Sequence, residues 1–178
     1  VLSDSVPGSA LRSNYVTTPA GASYSKMEFA NCNNAIAAGG ASITSTADGG
    51  KTWKPVLKVS ENTGFNEIHM DPRFSNVLYA TSHQRRRQVY TYISGGPESN
   101  IYKSIDGGMT WDTLKKGLPE VDKGRIGMAI SPANPDYLYC IIEASDKKGG
   151  VFRSTNRGES WEKTSDNATA GNYYQEIF

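Results

Sequence analysis

The chain writes one eight-residue phrase three times, and that repetition constrains its fold more than any other property. Thr46-Ala47-Asp48-Gly49-Gly50-Lys51-Thr52-Trp53 returns as Ser104-Ile105-Asp106-Gly107-Gly108-Met109-Thr110-Trp111 and again as Ser154-Thr155-Asn156-Arg157-Gly158-Glu159-Ser160-Trp161. The shared pattern is (S/T)x(D/N)xGx(T/S)W, and each copy holds one of the 3 tryptophans. Such a phrase reads as a tight β-hairpin. The Asp or Asn side chain accepts backbone N–H groups across the turn, and the glycine supplies a positive φ. The tryptophan opens the returning strand and plugs the loop with its ring. Asp48, Gly50, Trp53, Asp106, Gly108, Trp111, Asn156, Gly158 and Trp161 therefore have structural tasks, and none has an evident chemical one.

A second match runs through the chain in the same order. Asp71-Pro72 leading to Val77-Leu78-Tyr79 parallels Ser131-Pro132 leading to Tyr137-Leu138-Tyr139. Two unrelated motifs that keep their order in successive units indicate true repetition. Each unit divides into short runs of strand character parted by turn residues, which makes four antiparallel strands per repeat. With 18 glycines, 10 tyrosines and 8 prolines, the fold class is all-β.

These phrases resemble the Asp-box, or BNR, repeat. The copies at 46–53 and 104–111 match closely, and the third departs in carrying Asn156 where Asp is usual. The stretch from Asn66 onward is similar to the sortilin-like, glycosyl-hydrolase-like β-propeller proteins. His83-Gln84-Arg85-Arg86-Arg87, Ser94-Gly95-Gly96-Pro97 and Gly124-Arg125-Ile126-Gly127 carry that likeness. Sialidases, xyloglucanases, sortilin ectodomains and a photosystem II assembly factor share the repeat, so the resemblance implies architecture and leaves function open.

The expected organisation is about three propeller blades. Residues 1–23 form a linker or the outer strand of a preceding blade, with a strand over 11–18. Blades follow at 24–60, 61–118 and 119–168, and 169–178 is the first strand of a following blade. A propeller closes with roughly four to eight blades, and the resemblance implies about seven or more. The expectation is thus a piece of a larger propeller, completed by missing sequence, by another chain or by its own copies. The competing arrangement is a small complete domain to which the first 23 residues lend the missing strands.

Formal charge of +1 leaves no field of one sign to hold nucleic acid. No apolar run has the length of a membrane span. The 2 cysteines, Cys32 and Cys140, are read as buried free thiols or as a single bridge. Asn167-Ala168-Thr169 fits a glycosylation acceptor, and the expected location is secreted or envelope-associated. No metal-ligand spacing and no nucleotide signature occur, so neither a metal nor a cofactor is expected.

In a blade running from axis to rim, the turn between third and fourth strands lies at the opposite end from the turn between second and third. The boxes therefore belong to the lower rim, and the resemblance agrees. The interruption at 82–99, read as a long loop, then belongs to the upper face with His83, Arg85, Arg86, Arg87, Tyr90 and Tyr92. Cations interleaved with aromatic rings suit carboxylates, sugars or a protein partner. The alternative is structural, with Arg85 and Arg87 pinning neighbouring loops while Arg86 faces solvent. Arg125, Tyr173 and Tyr174 open innermost strands and belong near the axis.

No catalytic set can be named. Consecutive arginines point alternately to opposite sides and cannot form the three-arginine cluster of the sialidases. Glu67, Asp71, Glu143 and Asp146 carry no marking motif for a hydrolase acid pair. The functional expectation is a noncatalytic interaction module binding a protein or glycan through upper-face loops. The alternative is part of a glycoside hydrolase, sialidase-like or xyloglucanase-like, whose acids lie largely elsewhere.

Overall fold

The computed structural model describes residues 24–167, and the expectations for 1–23, Tyr173 and Tyr174 lie outside them. Three antiparallel sheets follow one another along the chain. The first runs β1 (Lys26–Phe29), β2 (Ala35–Gly39), β3 (Ser42–Thr46) and β4 (Lys54–Lys58). The second runs β5 (Thr63–Asp71), β6 (Phe74–Gln88), β8 (Ile101–Ser104) and β9 (Asp112–Leu114), with β7 (Thr91–Ser94) paired to β6 alone. The third runs β10 (Lys123–Ile130), β11 (Leu138–Ala144), β12 (Gly150–Ser154) and β13 (Glu162–Ser165). In spatial order each sheet is a simple meander, the form of a propeller blade. A short 3₁₀ turn at Ser145–Lys147 is the one helical element among the described residues.

The alternation along β6 explains how the sheets stack. Leu78 and Ala80 point to one side, where they meet Ile36, Ala38 and Ile43 of the first sheet together with Phe65 and Ile68. Val77 and Tyr79 point to the other, where they meet Ile126, Met128, Leu138, Cys140 and Phe152 of the third. The middle sheet thus buries both faces, which is why β6 is apolar at the four consecutive positions Val77, Leu78, Tyr79 and Ala80 instead of at every second one.

Each box closes by the same hydrogen bonds. The opening hydroxyl donates to the Asp or Asn oxygen and accepts the glycine N–H: Thr46 Oγ1 stands 2.8 Å from Asp48 Oδ1 and 3.0 Å from Gly50 N. Ser104 stands 2.7 Å from Asp106 Oδ1 and 2.9 Å from Gly108 N, and Ser154 stands 2.8 Å from Asn156 Oδ1 and 2.9 Å from Gly158 N. The same Oδ1 atoms accept the N–H of Thr52, Thr110 and Ser160 at 2.9, 2.9 and 3.0 Å. In the third box the substitution of Asn reverses one bond: Thr52 and Thr110 hydroxyls donate to a carboxylate, whereas the Asn156 amide donates to Ser160 Oγ. Every box is also tied to the turn between the first two strands of its own blade. Gly49, Gly107 and Arg157 donate to the carbonyls of Asn33, Asn76 and Asp136 at 3.0, 2.9 and 3.0 Å.

The box glycines have a second task that the sequence did not disclose. A Cβ on Gly108 would lie 2.8 Å from Ile36 of the first sheet, and one on Gly158 would lie 2.8 Å from Leu114 of the second. Both also adopt positive φ, +91° and +83°. The second and third boxes therefore each seat their blade on the preceding one where no side chain fits.

Two polar clasps reinforce the stack. At the lower end the buried Asp71 accepts from Arg73, which also reaches Asp136 at 2.7 Å, and the Arg73 and Arg157 guanidiniums lie 5.6 and 5.2 Å from the Phe74 ring centroid. Along the innermost strands Lys26 meets His69 Nδ1 at 2.9 Å, His69 Nε2 meets Glu67 at 3.1 Å, and the same Glu67 oxygen accepts the Met128 N–H at 2.8 Å. Lysine can only donate, so Nδ1 accepts and Nε2–H faces the carboxylate. One chain of contacts thereby links β1, β5 and β10.

The cysteine expectation needs correction. Both thiols are free, and Cys140 is buried, which pushes its pKa up. Cys32 is exposed, because it lies in the Asn31–Asn34 turn, where Asn31 Oδ1 collects the N–H groups of Asn33 and Asn34 and no second sheet among the described residues covers them.

Two predictions follow from the boxes. Gly108→Ala and Gly158→Ala should each cost about 2–3 kcal/mol in denaturant unfolding, the sum of left-handed strain and overpacking. Asp106 is held down to about 2 and Asp48 lower still, chiefly by the Thr110 and Thr52 hydroxyls. A carboxylate depressed on folding stabilises above its ordinary value of 3.8 and loses that contribution as pH falls through its folded value. Stability measured against pH should therefore decline between about 4 and 2, and Asp106→Asn should flatten that limb.

Candidate functional site

The interruption at 82–99 is not a loop. Strand β6 continues past the end of β5, reverses at Val89 and Tyr90, and returns as β7 with Arg85, Arg86, Arg87 and Gln88 opposite Ser94, Ile93, Tyr92 and Thr91. The blade's second strand thus stands above the upper face as the arm of a two-stranded ribbon.

Several bonds fix the base of this ribbon. Gln84 N donates to Ser99 Oγ at 2.9 Å, and the Gln84 amide oxygen accepts the Glu98 N–H at 3.1 Å. Glu98 in turn receives the hydroxyls of Ser60, at 2.6 Å, and Thr63, from the connection between the first two sheets. Gly96 N donates to Lys123 O of the third sheet at 2.9 Å. One ribbon base is therefore bonded to all sides of its surroundings, and Glu98 is held below the usual carboxylate range by the two hydroxyls.

The tip is the opposite. Val89, Tyr90, Tyr92 and Ile93 are exposed, Val89 completely and Tyr90 to 83%. Arg85, Arg86 and Arg87 are exposed as well. Alternation places Arg85, Arg87, Tyr92 and Ser94 on one face with His83, and Arg86 on the other. The Arg85 guanidinium lies 5.6 Å from the Tyr92 ring centroid. The structure thus brings together six of the sequence-named residues, His83, Arg85, Arg86, Arg87, Tyr90 and Tyr92, on a single ribbon. Arg85 does meet a neighbouring connection, but through its backbone N–H, which donates to Asn62 O at 3.0 Å.

His83 is different from the rest. It is buried at the root of the ribbon, 3.2 Å from Ser94 Oγ, and its pKa falls to about 4 through burial and the nearby charges of Arg85 and Arg125. Arg125 lies on the innermost strand β10, and its backbone N–H meets Glu143 at 3.3 Å. Beside the ribbon base lies a cleft of about 420 Å³, bounded by Pro97, Asn100, Leu114, Leu118, Pro119 and Lys123.

Three of the four candidate carboxylates are committed elsewhere, and the fourth, Asp146, lies in the 3₁₀ turn at Ser145–Lys147. Glu67 belongs to the innermost clasp, Asp71 to the lower one, and Glu143 to the backbone of Arg125. The carboxylates with displaced pKa values, Asp48, Asp71, Glu98 and Asp106, are all displaced downward. A general acid needs the reverse.

Box-sealed meanders stacked face to face, with a ribbon on the end opposite the boxes, define a β-propeller segment. The chain belongs to the Sortilin-Vps10 family, whose model, described as "Sortilin, neurotensin receptor 3", matches residues 41–176. Among solved structures, an ancestral GH74 enzyme superposes with TM-score 0.61 at 19% identity, over 79% of this chain and 18% of its own. The GH74 xyloglucanase from Xanthomonas campestris does so with TM-score 0.56 at 16% identity, over 72% and 18%. YCF48 bound to D1 peptide gives TM-score 0.53 at 19% identity, over 85% and 44%. The chain thus spans about a fifth of the GH74 structures and under half of YCF48. No curated protein sequence matches.

A histidine depressed on folding destabilises the fold as pH falls from its ordinary 6.5 towards about 4, because the unfolded chain takes the proton first. Stability should therefore drop across that window, and His83→Gln should remove that component of the slope.

Proposed function

We propose that this chain is a noncatalytic interaction module within a larger propeller, and that the ribbon over 84–95 is its binding element for a protein partner. The observation that carries this reading is the contrast between the ribbon's bonded base and its exposed arginines and aromatic tip. A rigid platform loses little entropy on binding, and exposed Tyr and Arg supply contact energy. The downward shift of the displaced carboxylates supports the absence of hydrolase chemistry. A neighbour of the same fold, YCF48, was captured with a peptide, which favours protein over glycan as the ligand. The remaining blades come from sequence beyond these residues or from another chain.

The test is a peptide array and a glycan array probed with this chain and with Arg85→Ala/Arg87→Ala, alongside a glycan hydrolysis screen. Peptide binding should fall at least tenfold in the variant, with the melting temperature shifted by no more than about 2 °C, since exposed side chains are replaced. Equal loss of stability and binding, or sugar release, would overturn the reading.

A further inference from the structure

The ribbon's main-chain bonds show which edge is open. Gln84 lies opposite Gly95, and Gly95 N donates to Gln84 O at 2.8 Å. In an antiparallel pair, facing and outward groups alternate. Gln84 and Arg86 therefore turn their N–H and C=O towards β7, while Arg85 and Arg87 turn theirs to the opposite side. The Arg85 N–H verifies this, since it points away from β7 to Asn62 O at 3.0 Å. Asn62 precedes β5, whose first residue, Thr63, pairs with Gln84. Beyond it no strand among the described residues accompanies β6 on that side, so the Arg85 carbonyl and both main-chain groups of Arg87 face outward along the line that β5 has vacated.

The side chains on this edge set the chemistry of what can lie there. Residues 83–96 contain Arg85, Arg86 and Arg87 and no Asp or Glu. Among the described residues none of the three takes part in an ion pair. Arg85 and Arg87 lie on one face and Arg86 on the other, so cations flank the open edge on both sides. An unpaired edge bearing a run of like charge resists neutral strands and copies of itself. The same charge favours a strand that carries carboxylates, because directly opposed residues of opposite charge stabilise a pair.

We propose that the outer edge of β6 at Arg85–Gln88 receives an extended acidic segment of a partner protein, which adds to the sheet as a strand in continuation of β5. This rests on the protein-binding reading above and specifies its mode. Backbone bonds to Arg85 and Arg87 supply the affinity, and acidic side chains opposite the three arginines select the sequence. The exposed ring of Tyr92, stacked beside Arg85, covers the same face.

The experiment measures fluorescence anisotropy of a labelled short peptide alternating Glu and Val, titrated with this chain. Its companions are the same peptide N-methylated at alternate residues, a Lys-for-Glu peptide, and vesicles containing phosphatidylserine. Binding of the Glu peptide should weaken about tenfold or more for each of Arg85→Glu and Arg87→Glu, with circular dichroism unchanged. N-methylation on the bonding side should abolish it, and the Lys peptide should not bind.

Equal binding of the N-methylated and plain peptides would overturn strand addition. So would vesicle binding without peptide binding, or no binding by any probe. The arrays described above still separate the two readings: array binding that depends on Arg85 and Arg87, together with indifference to N-methylation, leaves the interaction module standing and removes only the strand. Loss of array binding as well removes both.

Discussion

The hydrogen bond from a box glycine N–H to the opening hydroxyl is the contact on which the rest of the structure depends. At Gly108 and Gly158 it holds a glycine at positive φ against an apolar side chain of the preceding sheet. That approach sets how closely two sheets stack, and the stacking fixes where their upper ends lie. The ribbon is anchored to three of those ends at once. Its base bonds to the connection at Ser60–Thr63, to its own blade through Ser99, and to Lys123 of the next. A site assembled from several blades therefore inherits its accuracy from turns at the opposite end of the molecule.

The division of labour between the two ends has an electrostatic side. At the lower end charges are matched: Asp71 and Asp136 meet Arg73, and Arg157 approaches Asp71. On the upper ribbon they are not, and three arginines stand without a carboxylate among the described residues. An exposed unmatched charge contributes little to holding the fold together, which fits the binding role proposed for the ribbon.

The fold was legible in the sequence because its signals are local. A hydroxyl, an acid or amide, a glycine and a tryptophan within eight positions name the turn, and strand alternation names the faces. The arginine run was legible as a cluster but not as a strand, since Arg and Gln have modest β preference and a nearby Gly95-Gly96-Pro97 reads as loop. What extends β6 is tertiary: Glu98 held by Ser60 and Thr63, and Asn62 receiving Arg85. The Lys26–His69–Glu67 clasp was equally hidden, because its members come from different repeats and only stacking makes them neighbours. The exposure of Cys32 could have been anticipated from the asparagines around it, which mark a turn rather than a core.

The reversed bond in the third box gives the stack a polarity. Asn156 has no carboxyl to protonate, so its turn keeps the same partners in acid, while the turns of the first and second blades each lose a charged acceptor. Acidification thus acts unevenly on the three boxes, removing a charged acceptor from the first two turns and none from the third.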